Sequence, residues 1–348
     1  MGSEMCIRDS PQMQDFVREQ FPKHPDDGDF VYRQAVKAKA FDALRGLLPA
    51  ASLSNVGIYG TGQAYEALLL RMRSHPLPES RYYADLMLRE LRKVIPSFLE
   101  RVDREDRGVV WSEYLQETRE DTADVVAALF PEGSIVDPSP TVRLVDFDPE
   151  GEVKMIASMM YPHSTMSEDQ LERRVAGMNH EDRMAVARAY VGDRRNRRHK
   201  PGRALERPFY RFDVLVDYGA FRDLQRHRML SMDWQNLSPH HGYISSPLVT
   251  AAGMGPVYEE AMERSAALYD LLIDDFPDQA SYAVNFAYKI RFNMNINARS
   301  AMHLIELRTT PQGHPSYREV GQEMHRLIAE EAGHTVISEM MKFVDHTD

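Results

Sequence analysis

The sequence has almost no cysteine, since Cys6 is the only one among 348 residues. A disulfide framework and a cysteine-based metal site are therefore excluded, and this usage favours a cytoplasmic protein. There is no run of 18 or more apolar residues, so no membrane-spanning helix is expected. Acidic residues outnumber basic ones, 53 to 42, which gives a net charge of −11. General binding to nucleic acid or anionic membranes is not expected, although a local anion site remains compatible with this charge.

Several common cofactor and catalytic motifs are also missing. The sequence has no Walker A motif and no GxGxxG, and GTGQAYEA at 60–67 fits neither pattern. No HExxH is present, and His240 and His241 are adjacent rather than spaced for one metal ion, so no metal site is predicted. Composition does not exclude a Ser-His-Asp triad, but nothing resembles a nucleophile elbow.

The first ten residues, MGSEMCIRDS, are what a common transposon-type sequencing adapter encodes when GTG is its start codon. We therefore expect residues 1–10 to be translated adapter, with the natural gene beginning further upstream, and leave them out of fold prediction. The alternative is a genuine short N-terminal tail. An independent long read of the locus with the same ten codons in genomic context would exclude the adapter hypothesis.

Residues 11–104 have helical spacing of apolar residues. The pattern predicts helix within 12–46, and two strong helices at 63–74 and 80–102. Residues 105–139 are first highly charged and then rich in Pro, Gly and Ser, which predicts a linker with a domain boundary.

An internal repeat emerges at an offset of 235 residues. ALLLRMRSHP at 67–76 aligns without gaps to MHLIELRTTP at 302–311, and Arg73 aligns with Arg308. Both places predict a helix, a Pro-containing loop and a long helix. We therefore interpret residues 11–104 as the C-terminal half of a degenerate first copy, and 140–348 as a complete second copy.

The second copy alternates strand and helix patterns before a C-terminal third that we predict to be helical. Strands are predicted at 142–148 and 209–217 from alternating apolar residues. Helices are predicted at 152–161, 167–178 (with Ser167 as N-cap), 180–193 and 218–232.

Three polar stretches carry candidate chemistry. Arg226, His227 and Arg228 fall in the predicted helix, where consecutive residues point about 100° apart. One could bind a ligand phosphate while another pairs with a carboxylate; the alternative is a solvated charged face. A second stretch contains Asn297, Arg299, His303 and Arg308. These side chains could bind a polar heterocycle and its phosphates; the alternative is an amphipathic helix whose polar face is only solvent-exposed. The basic loop 194–207, with His199 and Glu206, could hold a pyrophosphate or be solvated.

Together these stretches resemble the flavin-dependent thymidylate synthases, the ThyX family, over residues 140–335. The order of VRLVDFD, FYRFDVLVDYGAFRDLQRHR and NARSAMHLIELR follows the family pattern. The resemblance implies an α/β (α+β) fold with a small, mainly antiparallel sheet and long helices, assembled as a homo-oligomer with sites between copies. It also implies that FAD and NADPH, with methylenetetrahydrofolate as carbon donor, convert dUMP to dTMP.

Carried over by position, the resemblance implies roles for twelve residues of this chain. The flavin would be bound by Arg226, His227, Arg228, Asn297, Arg299, His303, His199 and Glu206, the substrate by Arg308, Gln225 and His240, and Ser238 would be catalytic. In the first copy, Gly62, Ala64 and Leu68 occupy the Asn, Arg and His positions, so that copy is expected to be structural.

Two departures concern the substrate site. Nine residues rather than seven separate Arg228 from Ser238, and His240 and Ser281 occupy positions where the family has arginine. Each lost charge-assisted contact is worth about 1.5–3 kcal/mol. The leading hypothesis is a thymidylate synthase; the alternatives are a non-synthase flavin- or nucleotide-binding relative and a purely structural subunit. His240, His241 or Arg291 could replace the missing groups.

Overall fold

The computed structural model describes residues 2–130 and 139–347, and for residues 2–9 only the helix that contains them. The first range contains α1 Gly2–Gln20, α2 Asp29–Leu44, α3 Gly62–Arg73, α4 Pro78–Leu91, α5 Pro96–Leu99 and α6 Val110–Leu129. The second range contains β1 Val142–Phe147, α7 Gly151–Met160, α8 Glu168–Ala176, α9 His180–Val191, β2 Phe209–Asp217, α10 Tyr218–Leu224, β3 Ser231–Trp234, α11 Pro247–Ala251, α12 Gly255–Ile273, α13 Pro277–Ala280, β4 Lys289–Asn297, α14 Ala298–Arg308, α15 Pro315–Glu330 and α16 Thr335–Met340.

The four strands form one sheet in the order β1-β2-β4-β3, with every neighbouring pair antiparallel. The long pair β2 and β4 runs from Phe209 opposite Asn297 to Asp217 opposite Lys289. Alternate residues of both strands are buried: Tyr210, Phe212, Val214, Val216, Ile290, Phe292, Met294 and Ile296. Helix α15 packs on β1, β2 and α14. The predicted class, a small antiparallel sheet with long helices, is confirmed.

The structure corrects the predicted helix at 218–232. Helix α10 ends at Leu224, the RHR residues 226–228 lie in the segment that follows, and Ser231–Trp234 forms strand β3. The chain leaves the helix because β3 pairs with residues 292–295 of β4, a long-range contact that local helix propensity cannot reveal.

Two other predicted helices also differ. The C-terminal third is not wholly helical, because Lys289–Asn297 forms β4, whose alternating apolar residues face the core. Residues 80–102 form α4 and the short α5 rather than one helix. Pro96, at the first position of α5, cannot continue a preceding helix because it lacks a backbone N–H and its ring clashes with the previous turn.

The chain divides into two compact units, which we name the sheet unit and the helical unit. The sheet unit contains residues 1–51, 139–271 and 281–348, and the helical unit contains 52–138 and 272–280. These bounds divide the segment predicted as the first copy, 11–104, between the two units. The predicted linker, 105–139, contains α6, while residues 131–138 lie outside the described residues.

The helical unit has a core of its own, made of Leu69, Ala84, Leu88, Leu99 and Val102. Helices α3 and α4 form a helix–loop–helix at the first repeat position, as α14 and α15 do at the second. The predicted order of helix, loop and helix is therefore confirmed at both positions, although the second helix at the first position ends at Leu91. The common origin of the two copies stays a prediction.

Candidate functional site

Helix α14 and its N-terminal cap carry four of the candidate side chains. The side-chain oxygen of Asn297 accepts a hydrogen bond from the Ser300 N–H at 2.9 Å and so caps the helix N-terminus. Arg299, His303 and Arg308 follow along the helix. At about 100° per residue, Arg299 and His303 share one face of the helix, whereas Arg308 leaves the opposite face about 13 Å further along. The two arginines therefore mark two separate ends of the candidate site.

Arg308 at the end of α14 connects the helix to the RHR segment. Its Nε donates to Nε2 of His227 at 3.0 Å, and its Nη2 donates to the carbonyl oxygen of Asp223. Its Nη1 lies 3.5 Å from the Asp223 carboxylate, and its guanidinium lies 5.2 Å from the ring centre of Tyr317. Because Nε2 of His227 accepts this bond, the neutral imidazole carries its proton on Nδ1.

The electrostatic environment keeps His227 neutral. Burial, followed by the charges of Arg308 and His303, lowers the pKa of His227 to about 4. The His303 ring lies edge-on to His227, with 5.7 Å between ring centres. Burial also lowers the pKa of His303, as do the nearby cations Lys200 and Arg197. At neutral pH the site therefore presents two uncharged imidazoles surrounded by cations.

Asp223 is the carboxylate on which three arginines of the sheet unit converge. Arg45, Arg226 and Arg308 lie 3.6, 3.3 and 3.5 Å from its oxygens. The sequence patterns did not single out Asp223 or Arg45, which are far apart in the chain. Arg45 is brought there because the chain after α2 pairs with residues 284–287, including Phe286 N–H to the Leu48 carbonyl at 2.8 Å.

The two flanking arginines of the RHR segment are available to a ligand. The side chain of Arg226 is 74% exposed despite its contact with Asp223. Arg228 is also exposed, and within the described ranges no ion pair or hydrogen bond involves its side chain. The segment thus holds its central histidine inside and leaves a guanidinium exposed on each side.

The other end of α14 is tied to the basic loop. Arg299 donates to Glu206 at 2.8 Å and, through Nε, to the carbonyl oxygen of Pro201 at 2.9 Å. Arg203, followed by Arg299, lowers the pKa of Glu206. His199 does not join this pair: it is exposed, and its ring contacts Asn196 at 3.3 Å. Of the two predicted loop residues, the structure brings Glu206 alone to α14.

The predicted substrate and catalytic residues on either side of RHR have modest contacts. Gln225 follows α10 as its C-terminal cap and accepts a hydrogen bond from Arg222 at 3.3 Å. The Ser238 hydroxyl accepts from the backbone N–H of His240 at 3.4 Å. No described histidine, aspartate or glutamate side chain hydrogen-bonds Ser238, so the geometry supplies no base to activate it as a nucleophile. The His240 ring packs edge-on to Tyr269.

Arg291 is already engaged by a carboxylate. Asp213 on β2 accepts three hydrogen bonds from Arg291 on β4, between 2.9 and 3.1 Å long. Ser281, where the family has an arginine, lies in a short helical turn at Ser281–Ala283. In the described part of the chain, no three metal-ligating side chains lie close enough together to hold a metal ion. Nor is any helix there long and apolar enough to cross a membrane.

An antiparallel sheet packed with a helix that carries Arg299, His303 and Arg308 defines an α+β protein with a candidate site for a polar ligand. Residues 143–333 match the family model described as thymidylate synthase complementing protein, Thy1, and the chain belongs to that family. A UPF0159 protein of Chlamydia pneumoniae is 37% identical over 340 residues, covering 97% of this chain and 63% of its own length. A UPF0159 protein of Thermoplasma acidophilum is 31% identical over 326 residues, covering 91% and 62%.

The chain thus spans less than two thirds of the length of the curated relatives that it matches. Among solved structures, flavin-dependent thymidylate synthase ThyX from Helicobacter pylori, complexed with FAD and dUMP, is 18% identical with a TM-score of 0.43, covering 59% of this chain and 100% of that chain. The UMP/dUMP methylase PolB from Streptomyces cacaoi, bound with 5-Br dUMP, is 19% identical with a TM-score of 0.43, covering 57% and 94%.

Proposed function

We propose that this protein is a flavin-dependent thymidylate synthase-like enzyme, which methylates dUMP to dTMP with methylenetetrahydrofolate as carbon donor and NADPH as reductant. The observation that carries the proposal is the cluster of His227, His303 and Arg308, with Arg226 and Arg228 exposed beside it. Membership of the Thy1 family supports it.

The chemistry of the donor groups fits a flavin dinucleotide. Exposed guanidinium groups at Arg226 and Arg228 can neutralise a diphosphate, because arginine binds phosphate oxygens through charge-assisted, often bidentate hydrogen bonds. Neutral imidazoles at His227 and His303 can hydrogen-bond a polar ring without adding charge. Asn297, Arg299, Glu206 and His199 complete the proposed cofactor set. Bound FAD would supply the reducing equivalents for the methyl transfer.

Arg308 is the proposed anchor for the nucleotide anion. Its guanidinium is held by His227, Asp223 and Tyr317 before any ligand binds, so little side-chain entropy remains to be lost. Unlike the one-to-one pair of Arg291 with Asp213, the Asp223 carboxylate is shared by three arginines, so the cluster keeps a net positive charge for the anion. Gln225 and His240 are the other proposed substrate contacts. The Ser238 hydroxyl would contribute to catalysis as a hydrogen-bonding group of this segment. No described base lies beside it to activate it as a nucleophile.

A second candidate is a flavin- or nucleotide-binding relative without synthase activity. The observation that favours it is the state of Arg291, whose guanidinium is bound by Asp213 and thus does not replace the arginines absent at His240 and Ser281. A protein that retains flavin but binds dUMP weakly would match this candidate.

Flavin content and genetic complementation separate these proposals. Purified protein with a bound-flavin absorption band supports both candidates, while its absence contradicts both. Rescue of a thymidine auxotroph by the full-length gene then supports the synthase; failure despite good expression and bound flavin supports the second candidate. Replacing Arg226 and Arg228 by Ala should abolish flavin retention. The matched control replaces Arg264 and Arg326, two other partly exposed arginines, by Ala.

The proposed assembly is a homo-oligomer in the cytoplasm, with sites formed between copies. Light scattering of the flavin-loaded protein tests the assembly: a monomer with full flavin occupancy would contradict it.

A further inference from the structure

The most deeply buried ion pair among the described residues of the sheet unit lies outside the proposed ligand contacts. Arg194 and Glu306 are almost completely buried, with side-chain exposures of 3% and 0%. Their two parallel hydrogen bonds are 2.7 and 2.5 Å long. A buried pair of this kind is poor evidence of stability, because the loss of hydration offsets its attraction. Its presence therefore requires another explanation.

The pair connects α14 to the basic loop from inside. Besides binding Glu306, Arg194 donates to the carbonyl oxygen of His199 at 2.8 Å and approaches that of Arg197 at 3.4 Å. Glu306 is three residues beyond His303 on α14. The same helix holds the far end of the loop, where Arg299 donates to the Pro201 carbonyl. Both ends of the segment 195–200 are thus fixed to one helix.

The segment fixed in this way presents unpaired positive charge. No described carboxylate forms an ion pair with Arg195, Arg197, Arg198 or Lys200. Lys200 and Arg197 lie close enough to His303 to lower the pKa of that imidazole. The segment thus carries four cations without a carboxylate partner, two of them near His303, in a chain of net charge −11, which makes it a suitable place for an anionic ligand.

We propose that Arg194 and Glu306 are positioning residues, which hold the cationic segment 195–200 beside His303 so that it binds the diphosphate of the flavin cofactor together with Arg226 and Arg228. The inference rests on the proposed function for the identity of the ligand. Neither residue touches the ligand: the buried pair supplies order, and the exposed cations supply charge. A segment ordered before binding loses less conformational entropy on binding.

The decisive variant is Arg194→Met with Glu306→Leu. Replacing a buried ion pair by apolar side chains of similar size is often neutral for stability, so this double variant separates positioning from folding. We expect a melting temperature close to that of the wild type, faster hydrogen exchange in residues 195–200, and an FAD Kd raised about tenfold. The control, Arg318→Met with Asp345→Leu, removes another partly buried pair of the sheet unit and should leave both the exchange and the Kd unchanged.

If the double variant does not fold, Arg194→Lys keeps the charge but loses the two-pronged contact, and smaller changes in the same direction are expected. Wild-type exchange and wild-type FAD affinity in a folded variant would refute the proposal. Hydrogen exchange is measured without ligand, so it judges the positioning role even if the wild type binds no FAD. A wild-type protein that binds no FAD would refute the proposed function, but it would leave open whether Arg194 and Glu306 order the loop, which hydrogen exchange measures separately.

Discussion

Protonation of His227 should destabilise the sheet unit as the pH falls below about 6.5. Burial and the neighbouring Arg308 and His303 lower the folded-state pKa to about 4, against 6.5 for the unfolded chain. The folded state therefore binds this proton less tightly than the unfolded state. The stability due to neutral His227 is complete above pH 6.5 and is lost towards pH 4. Between pH 7.5 and 5 the loss is about 2 kcal/mol before solvent screening, and about 1 kcal/mol after it.

Tryptophan fluorescence can follow this unit alone. The chain has two tryptophans; Trp111 lies in the helical unit, and Trp234 lies on β3 with its ring 5.7 Å from that of Phe221. In a Trp111→Phe background, urea unfolding would be measured at pH 7.5 and 5, with and without His227→Gln. Glutamine can still accept the hydrogen bond from Arg308 but does not titrate.

Other histidines with lowered pKa values, such as His303 and His314, make the total pH dependence larger than one group explains. The difference between the two proteins isolates His227. We expect the glutamine variant to lose about 1 kcal/mol less than its parent on acidification. Equal losses in the two proteins would refute the neutral, partly buried state of His227.

Three further substitutions test the surroundings of the site in the same background. Asp223→Asn leaves three arginines without their carboxylate and should lower the unfolding free energy by about 2 kcal/mol. The control Asp233→Asn changes an exposed aspartate and should leave that free energy unchanged; equal effects of the two substitutions would contradict the convergence of arginines on Asp223. Arg45→Ala should lower the unfolding free energy by about 1 kcal/mol, because the Arg45–Asp223 contact is longer and partly exposed. If the effects of Arg45→Ala and Asp223→Asn simply add in the double variant, the two residues are not coupled. Asn297→Ala removes the N-terminal cap of α14 and should lower the unfolding free energy by about 1 kcal/mol. The control is Asn295→Ala at an exposed position; an equally small loss in both variants would contradict the capping role of Asn297.

Local periodicity was sufficient to predict the elements whose own residues show a clear helical or alternating pattern. Strands β1 and β2 alternate apolar and polar residues, and the spacing of Arg299 and His303 correctly placed both on one helix. Strand β4 has the same signal at Ile290, Phe292, Met294 and Ile296, but it joins α14 without a break. Its alternation was therefore included in the helical prediction of the C-terminal third. Strand β3 is only four residues long, so its existence depends on β4 rather than on its own sequence.

Long-range pairs of charges were beyond the reach of the sequence patterns. Glu306 lies in an ordinary amphipathic helix pattern, 112 residues from Arg194, and nothing local distinguishes it from a solvated carboxylate. The same holds for Arg45, whose approach to Asp223 depends on the backbone pairing of two distant segments. Motifs identify the groups that a site offers to a ligand, whereas the groups that orient them are visible only when the chain is folded.

The end of α10 at Leu224 determines how the RHR segment can work. A continued helix would point the three side chains about 100° apart, with at most one towards any given ligand. In the observed segment, His227 turns inward to Arg308 and His303, while Arg226 and Arg228 remain exposed on either side. A neutral histidine between two exposed guanidinium groups concentrates positive charge at the surface, and the histidine adds no further charge beside Arg308. Strand β3, whose pairing with β4 ends the helix, therefore affects ligand binding as well as the sheet. A variant that weakens this pairing should reduce flavin retention under conditions where the sheet unit is still folded.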